Sequence, residues 1–258
     1  MPELFLIDAK WEGEIKLTNK LKDFLKKNIK EKKLRSIALF ASIQFLNLDN
    51  FIKELEDLGI KVNITKSKRT NEPIQILGCD NYHDSFSEPI IQESDIILYV
   101  GDGLFHPKAL LLSQSKNKNE EKNKNREIKP VLIFNPISDN IEILEKKAIE
   151  KQILKYKRNL KLFINSDSIG ILVTIKPGQQ YFIAAKKLKE HLQNQGKKTY
   201  IFIDDTINLN NLENYPFIKA WVNTACPRIG TDDIVNIKQP IINLKEALDP
   251  VKALEELG

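Results

Sequence analysis

The sequence has few cysteines and no long uninterrupted apolar run. Its 258 residues include only two cysteines, Cys79 and Cys226, and no Cys-x-x-Cys pair. That count excludes a disulfide framework and a zinc ribbon, and it favours a reducing compartment such as the cytoplasm. No run of about 18 apolar residues occurs, so we expect no membrane span. The start of the chain lacks a basic region and reaches an acid early, so we expect no signal peptide.

The charge balance is only weakly basic. The formal net charge is +5, and much of the excess lies in lysine-rich segments around residues 26–33 and 116–129. Lysine runs of this kind usually form solvated surfaces. They lack the interleaved aromatic residues of nucleic-acid-binding motifs. We therefore expect no direct nucleic-acid partner.

Short apolar runs alternate with amphipathic segments along most of the chain. The runs predict strands at residues 4–7, 36–41, 60–64, 95–100, 131–134, 169–174, 199–203 and 220–222. The longest amphipathic segments predict helices at residues 16–33, 145–165 and 182–192. This order predicts an α/β fold of two similar domains, residues 1–144 and 145–258. Each domain is a parallel β-sheet flanked by helices, with an active-site cleft at the strand carboxyl ends. The almost wholly polar stretch 113–129 predicts a mobile loop.

The two halves of the chain repeat one another. In each half a strand leads into a loop with glutamine, a helix ends at a glycine (Gly59 and Gly196), and another strand follows. A later strand is then predicted to end on the only cysteine of that half, Cys79 or Cys226. Similar units would direct equivalent strand ends to a shared cleft, so we predict that both cysteines serve one site. The alternative is a repeat in which both cysteines are coincidental core residues.

Residues 220–233 contain a candidate site at the end of a buried strand. Pro227 fixes its own backbone and has no N–H, so the strand must end there and leave Cys226 at its carboxyl end. Arg228 has a planar fork of donors suited to a carboxylate, and Asp232 adds an acceptor. Two alternatives remain open. Cys226 could be a small core residue, and Arg228 could simply pair with a nearby aspartate to brace the turn.

Three other segments carry candidate ligands. Cys79 could bind a soft metal through its thiolate. Residues Gly101, Asp102 and His106 lie in a strand-to-loop turn, where the histidine could act as acid, base or ligand, or could hydrogen-bond the backbone. The third segment, between a strand and a helix N-terminus, suits an anion such as a carboxylate. It contains Lys176, Gly178, Gln179 and Gln180.

Taken together, these segments resemble the iron–sulfur subunits of diphthamide synthase. The resemblance rests on four motifs in order: Ile76-Leu-Gly-Cys79, Leu98-Tyr-Val-Gly-Asp-Gly-Leu-Phe-His106, Ile169-Gly-Ile-Leu-Val-Thr-Ile-Lys-Pro-Gly-Gln179 and Ala220-Trp-Val-Asn-Thr-Ala-Cys-Pro-Arg228. It implies a [4Fe-4S] cluster held by three cysteines, one from each of three similar domains, with S-adenosylmethionine on the open iron. It also implies radical transfer of a 3-amino-3-carboxypropyl group to a histidine of translation elongation factor 2, with release of methylthioadenosine.

The resemblance assigns expected roles within this chain. Cys79 and Cys226 would be the metal ligands. We expect S-adenosylmethionine to contact Gly101, Asp102, His106, Lys176, Gly178, Gln179, Gln180, Arg228 and Asp232. The sequence begins where the second domain of the family begins, so the first domain and its cysteine are missing from it. We therefore expect a homodimer, or a heterodimer with a family member that supplies the missing domain. The alternatives are a non-catalytic scaffold or electron-transfer subunit for a complete partner, and a metal-free protein that binds a small anionic metabolite.

Overall fold

The computed structural model describes residues 9–115 and 127–257, which divide into two compact units. Among these residues, unit 1 contains 9–114 and 127–148, and unit 2 contains Ser115 and 149–257. The chain passes from one unit to the other between Ala148 and Ile149, whereas the sequence placed the boundary after residue 144. The strand expected at residues 4–7 lies outside the described residues.

Unit 1 is built on a five-stranded sheet in the order β2-β1-β3-β4-β5. Its strands are β1 (Ser36–Ala41), β2 (Lys61–Asn63), β3 (Ile96–Val100), β4 (Val131–Asn135) and β5 (Asn140–Leu144). Its helices are α1 (Asn19–Lys32), α2 (Asp49–Asp57), α3 (Ile90–Glu93) and α4 (Pro107–Ser115). The first four strands are parallel, and β5 returns antiparallel along β4. Strand β5 was not predicted. Only a four-residue turn, 136–139, separates it from β4. Because a parallel return needs a long crossover, so short a turn makes β5 antiparallel.

The core of unit 1 lies between the sheet and its helices. Leu21 and Leu25 of α1 and Phe51 and Leu55 of α2 are fully buried in one cluster with Leu39 of β1. Burying each such side chain contributes about 1.5–3 kcal/mol. Strands β1, β3 and β4 are almost wholly buried, as expected for a parallel sheet covered on both faces.

Unit 2 is built on a parallel four-stranded sheet in the order β7-β6-β8-β9. Its strands are β6 (Ser168–Thr174), β7 (Lys198–Asp204), β8 (Ala220–Asn223) and β9 (Ile241–Asn243). Its helices are α5 (Glu150–Ile164), α6 (Phe182–Asn194), α7 (Leu244–Leu248) and α8 (Pro250–Glu256), and a short 3-10 helix, Leu209–Asn214, connects β7 to β8. Gly170 of β6 has to be glycine, because a Cβ there would overlap the ring of Trp221 on β8.

The two units share one strand order, in which the first strand lies between the second and the third. In such sheets the connections that follow the first and third strands leave toward opposite faces of the sheet. Ligands bind in the crevice between the carboxyl ends of these two strands. The predicted fold class, α/β with parallel-rich sheets flanked by helices, is confirmed. The expected binding edges are therefore the ends of β1 and β3 in unit 1 and of β6 and β8 in unit 2.

The predicted mobile loop, residues 113–129, lies mostly outside the described residues, but the prediction was wrong for its two ends. The Lys129 N–H donates to Gln114 Oε1 at 2.9 Å, and Gln114 Nε2 donates to the Lys129 carbonyl at 3.1 Å. Lys129 Nζ donates to the carbonyls of Ile91 and Gln92 in α3, at 2.9 and 3.0 Å. Composition alone did not reveal these bonds, which tie polar side chains to a helix end.

Candidate functional site

In unit 2, the ends of β6 and β8 hold two of the predicted ligand segments side by side. Strand β6 ends at Thr174, just before residues 176–180, and β8 ends at Asn223. The N–H and hydroxyl of Thr224 both donate to the Leu172 carbonyl, at 3.1 and 2.8 Å. These two hydrogen bonds to β6 fix the start of the segment that leads to Cys226.

Side-chain amides at the ends of β8 and β9 hold the backbone around Cys226. Asn223 Nδ2 donates to the Cys226 carbonyl and to Asn243 Oδ1, both at 2.8 Å, and Asn223 Oδ1 accepts from the Ala225 N–H at 3.0 Å. Asn243 Nδ2 donates to the Pro227 carbonyl at 2.9 Å. Cys226 itself is only partly buried, so it is not a core residue. The amides place its thiol firmly at the carboxyl edge of the sheet.

Arg228 forms an ion pair with Asp232, the interaction that the sequence analysis had left open as its alternative. The two side chains are 13% and 14% exposed, so the pair is largely removed from solvent. The Arg228 carbonyl also accepts from the N–H groups of Thr231 and Asp232, at 3.0 and 2.7 Å. These contacts brace the turn after Cys226. Binding of a ligand carboxylate by Arg228 or Asp232 stays a prediction.

Residues 176–180 form an exposed turn that leads into α6. Gly178 has φ +75°, a conformation that L side chains rarely adopt. The Gln179 N–H donates to the Lys176 carbonyl at 3.0 Å, and the Lys176 N–H donates to Thr174 Oγ1 at 3.2 Å. Gln179 is half-buried, and Gln180 is exposed. The turn is accessible at the helix N-terminus, as an anion site would require.

In unit 1, the end of β3 holds Gly101, Asp102 and His106. The Gly101 N–H donates to the carbonyl of Phe134 in β4 at 3.0 Å. Asp102 Oδ1 accepts from Asn135 Nδ2 at 3.1 Å. The turn is therefore tied to β4, and Asp102 already has a partner from the protein.

His106 is linked to Tyr99, which the sequence analysis did not identify. The Tyr99 hydroxyl lies 3.2 Å from His106 Nδ1. Burial, and to a lesser degree the negative charge of Asp102, raises the pKa of Tyr99 to about 12. A Cβ at Gly101 would overlap the Tyr99 hydroxyl, which explains the glycine. The spacing of Tyr99 and Gly101, two residues apart on one face of a strand, was the available signal.

Cys79 lies in a turn, and the prediction that it ends a strand was wrong. Only Gln75 of the preceding segment forms a bridge, with Ala41 at the end of β1. The Ile76 N–H donates to the Ala41 carbonyl at 3.1 Å. The apolar residues of this segment led to the strand prediction, because a short apolar run does not by itself distinguish a strand from a single bridge. Cys79 lies in the turn three residues after Ile76, and it is half-buried.

Asp80 shapes the turn that carries Cys79. Its Oδ2 accepts from the Leu77 N–H at 2.8 Å, and its own N–H donates to the Leu77 carbonyl at 3.0 Å. Asp80 is fully buried, and this burial raises the pKa of its carboxyl group against the opposing effect of the Leu77 bond.

The structure does not assemble the candidate ligands into a ready metal centre. Within residues 9–115 and 127–257, no cluster of three or more His, Cys, Asp or Glu residues could hold a metal ion. Neither cysteine of these ranges forms a disulfide. Over the same part of the chain, no helix combines the length and apolar character needed to cross a bilayer. The candidate site therefore consists of one thiol and one set of ligand loops in each unit.

The chain is similar to proteins of diphthamide synthesis. A family model of diphthamide synthesis proteins matches residues 9–253. The 2-(3-amino-3-carboxypropyl)histidine synthase of Pyrococcus horikoshii is 29% identical over 226 residues, which are 86% of this chain and 59% of that protein. The synthase of Methanocaldococcus jannaschii is 28% identical over 78% of this chain and 54% of the relative.

The fold comparison agrees with these matches. The crystal structure of Dph2 from Pyrococcus horikoshii with a 4Fe-4S cluster aligns with a TM-score of 0.65 and 26% identity, covering 92% of this chain and 62% of that one. The chain thus spans less than two thirds of the length of each of these relatives. Because the family model covers nearly all of the sequence, the chain belongs to the diphthamide synthesis protein family.

Proposed function

We propose that this chain transfers the 3-amino-3-carboxypropyl group of S-adenosylmethionine to a histidine of translation elongation factor 2, in the cytoplasm. The observation that carries the proposal is one half-buried cysteine in each unit, in a family whose relative Dph2 has a 4Fe-4S cluster. The names of the relatives support the reaction type.

The thiols of Cys79 and Cys226 have the chemistry that an iron–sulfur cluster requires. We propose that each supplies one thiolate ligand. A cluster held by these thiolates would supply the electron needed for reductive cleavage of the sulfur–carbon bond of S-adenosylmethionine. The chain has only these two cysteines. A third cysteine ligand would come from outside these 258 residues, and we propose that a second chain supplies it, in a homodimer or in a heterodimer with another family member.

The loops at the carboxyl edges have the groups to position S-adenosylmethionine. The turn at residues 176–180 presents backbone N–H groups and Lys176 at a helix N-terminus, which suits the carboxylate of the amino acid end. Arg228 could add a charge-assisted bond by exchanging Asp232 for that carboxylate. In unit 1, His106 and Asp102 lie at the end of β3, where they could contact the remainder of the ligand or the incoming histidine. These assignments rest on position at the ligand-binding edges.

A second candidate function is that of a non-catalytic subunit that scaffolds a complete partner or passes electrons to it. The two thiols of these 258 residues are fewer than the three ligands that the family resemblance implies, and a complete partner that holds its own cluster would account for the difference. A subunit of this kind would bind elongation factor 2 or the partner without catalysing transfer alone.

Anaerobic reconstitution with iron and sulfide tests the metal assignment. The wild-type chain should take up both elements and gain broad visible absorption. Cys79→Ser and Cys226→Ser should each lose most of this uptake. His191→Gln, which removes an exposed histidine of α6, should retain it. Equal uptake by wild type and the double cysteine variant would rule out these ligands.

A transfer assay then separates the two functions. Labelled S-adenosylmethionine and elongation factor 2 are incubated with the reconstituted chain under reducing conditions, with and without candidate family partners. Label on the factor from the chain alone supports the enzyme. Label only with a partner, still present when Cys79 and Cys226 are both replaced by serine, supports the non-catalytic scaffold.

A further inference from the structure

A cavity of about 140 Å³ opens in unit 2 at the carboxyl ends of β6 and β7. Leu172, Phe202 and Leu212 form part of an apolar wall, and Leu172 and Leu212 are buried. An apolar cavity of about 150 Å³ can hold one benzene ring, whereas drug-sized ligands need about 300 Å³ or more. The cavity therefore suits a single flat ring system.

Polar groups also line the cavity. Asn211 lies in the 3-10 helix after β7, and Tyr215 follows that helix. The Tyr215 ring packs edge-on against Phe202, with centroids 4.6 Å apart, and is 37% exposed. An asparagine amide matches the donor and acceptor pattern of an adenine edge. Aromatic rings stack on bases with about 1–3 kcal/mol per base. The cavity thus suits a nitrogen-containing ring better than a plain hydrocarbon.

Asp204 ends β7 and lines the same cavity. Its Oδ1 accepts from the N–H groups of Asp205 and Thr206, at 2.8 and 3.4 Å. These bonds fix the carboxylate and leave Oδ2 to meet a ligand. In nucleotide-binding α/β folds, an acidic residue beyond the first strand–helix unit binds the ribose hydroxyls. Asp204 closes the second strand of unit 2, so it has the position and the chemistry for this role.

The cavity is joined by hydrogen bonds to the proposed carboxylate turn. The Ile175 N–H donates to the Asp204 carbonyl at 3.2 Å. Thr174 Oγ1 donates to the Asp205 carbonyl at 3.0 Å and accepts from the Lys176 N–H at 3.2 Å. The end of β7 and the start of the 176–180 turn are therefore one connected surface. A ligand with a ring at one end and a carboxylate at the other could span it.

We propose that this cavity binds the base of an adenine nucleoside, with Asp204 binding its ribose hydroxyls. The inference deepens the proposed function, on which it rests for the identity of the nucleoside as part of S-adenosylmethionine. It adds a base-binding and ribose-binding site at β7, away from both cysteines in the sequence. Methylthioadenosine and adenosine, which lack the carboxylate, are the probes that isolate this site.

Calorimetry on the iron-free chain tests the proposal. Asp204→Asn and Asn211→Ala should each weaken methylthioadenosine and adenosine binding about tenfold, the equivalent of about 1.4 kcal/mol. The matched controls are Asp205→Asn and Asn210→Ala, neighbours in the chain that do not line the cavity, and these should bind like wild type. Equal losses in variants and controls, or no binding by wild type at millimolar ligand, would overturn the proposal.

A deoxynucleoside isolates the role of Asp204. Wild type should bind 2′-deoxyadenosine several-fold more weakly than adenosine, and Asp204→Asn should bind the two alike. A preference of unchanged size in Asp204→Asn would refute the ribose contact. These measurements need no cluster, so they can be separated from the test of the proposed function. If iron uptake or transfer fails while nucleoside binding behaves as expected, only the proposed function is refuted. If iron uptake and transfer succeed while neither cavity variant weakens nucleoside binding, only this inference is refuted.

Discussion

At the scale of single residues, Tyr99 and His106 tie the end of β3 to the turn that follows it. The Tyr99 hydroxyl is buried 3.2 Å from His106 Nδ1, above a glycine that makes room for it. With its pKa raised to about 12, this hydroxyl keeps its proton at neutral pH. When it donates to Nδ1, the neutral imidazole carries its own proton on Nε2. The pair would thereby set which nitrogen of His106 can donate to a ligand.

Tyr99→Phe should change how stability depends on alkaline pH. The pKa of Tyr99 is higher in the folded chain than in the unfolded chain, so the folded state holds its proton more tightly. Its contribution to the free energy of unfolding is complete below pH 10 and is lost as the pH rises from 10 towards 12. By pH 11 wild type should lose about 1.4 kcal/mol relative to Tyr99→Phe. Urea unfolding at pH 8, 10 and 11 measures this, and parallel pH curves for the two proteins would contradict it.

Arg228→Ala should destabilise the chain, because it leaves Asp232 charged and only 14% exposed. A lost hydrogen bond between charged groups costs about 1.5–3 kcal/mol. Chemical denaturation of Arg228→Ala, Asp232→Ala and the double variant measures the coupling. The double variant should lose clearly less than the sum of the single variants, since both share one interaction. Strict additivity would show that the ion pair does not brace the turn.

At the scale of elements, burial decides what the sequence could predict. Strand β1 was predicted with its observed bounds, Ser36–Ala41, because a strand covered on both faces reads as a continuous apolar run. Strand β5 was missed because it is a largely exposed edge strand with little apolar signal. The segment before Cys79 was assigned as a strand from its apolar residues, although a single bridge at Gln75 is all that pairs. The pattern of apolar residues along one segment does not show over how many residues that segment pairs with a neighbouring strand.

The candidate site was predictable where its parts lie close in sequence. The Arg228–Asp232 pair spans four residues and was foreseen as an alternative. The contact of Tyr99 with His106 crosses a turn, and the clamp of Asn223 on Asn243 joins two strands. Contacts of this kind depend on strand order, which single-residue signals do not carry. The shared cleft for the two cysteines stays a prediction.

Lys129 offers an element-scale test, because its ammonium group caps the carbonyl end of α3. Lys129→Met keeps the aliphatic stem and removes the charged donor, so the free energy of unfolding should fall by about 1.5–3 kcal/mol. Lys26→Met, which replaces an exposed lysine of α1, should change it by less than about 0.5 kcal/mol. Thermal and urea unfolding of both variants measure the difference. Equal stability of the two variants would show that the cap contributes little.

At the scale of the whole molecule, each unit has its own hydrophobic core, and neither core contains a cysteine. A chain stabilised in this way should keep its fold without metal, unlike small domains that unfold when their metal is removed. Chelation of the reconstituted protein should abolish the visible absorption and leave the far-ultraviolet circular dichroism unchanged. Loss of helical signal on chelation would show that the cluster supports the fold.

The positions of the two cysteines also bear on the history of the protein. Cys226 follows the third strand of its unit, whereas Cys79 lies between the second and third strands of its own. If both units descend from one duplicated gene segment, copying a single ancestral cysteine could not have put thiols at both places. At least one thiol must then have arisen after the duplication, so the two halves would have inherited a common scaffold and acquired their ligands independently.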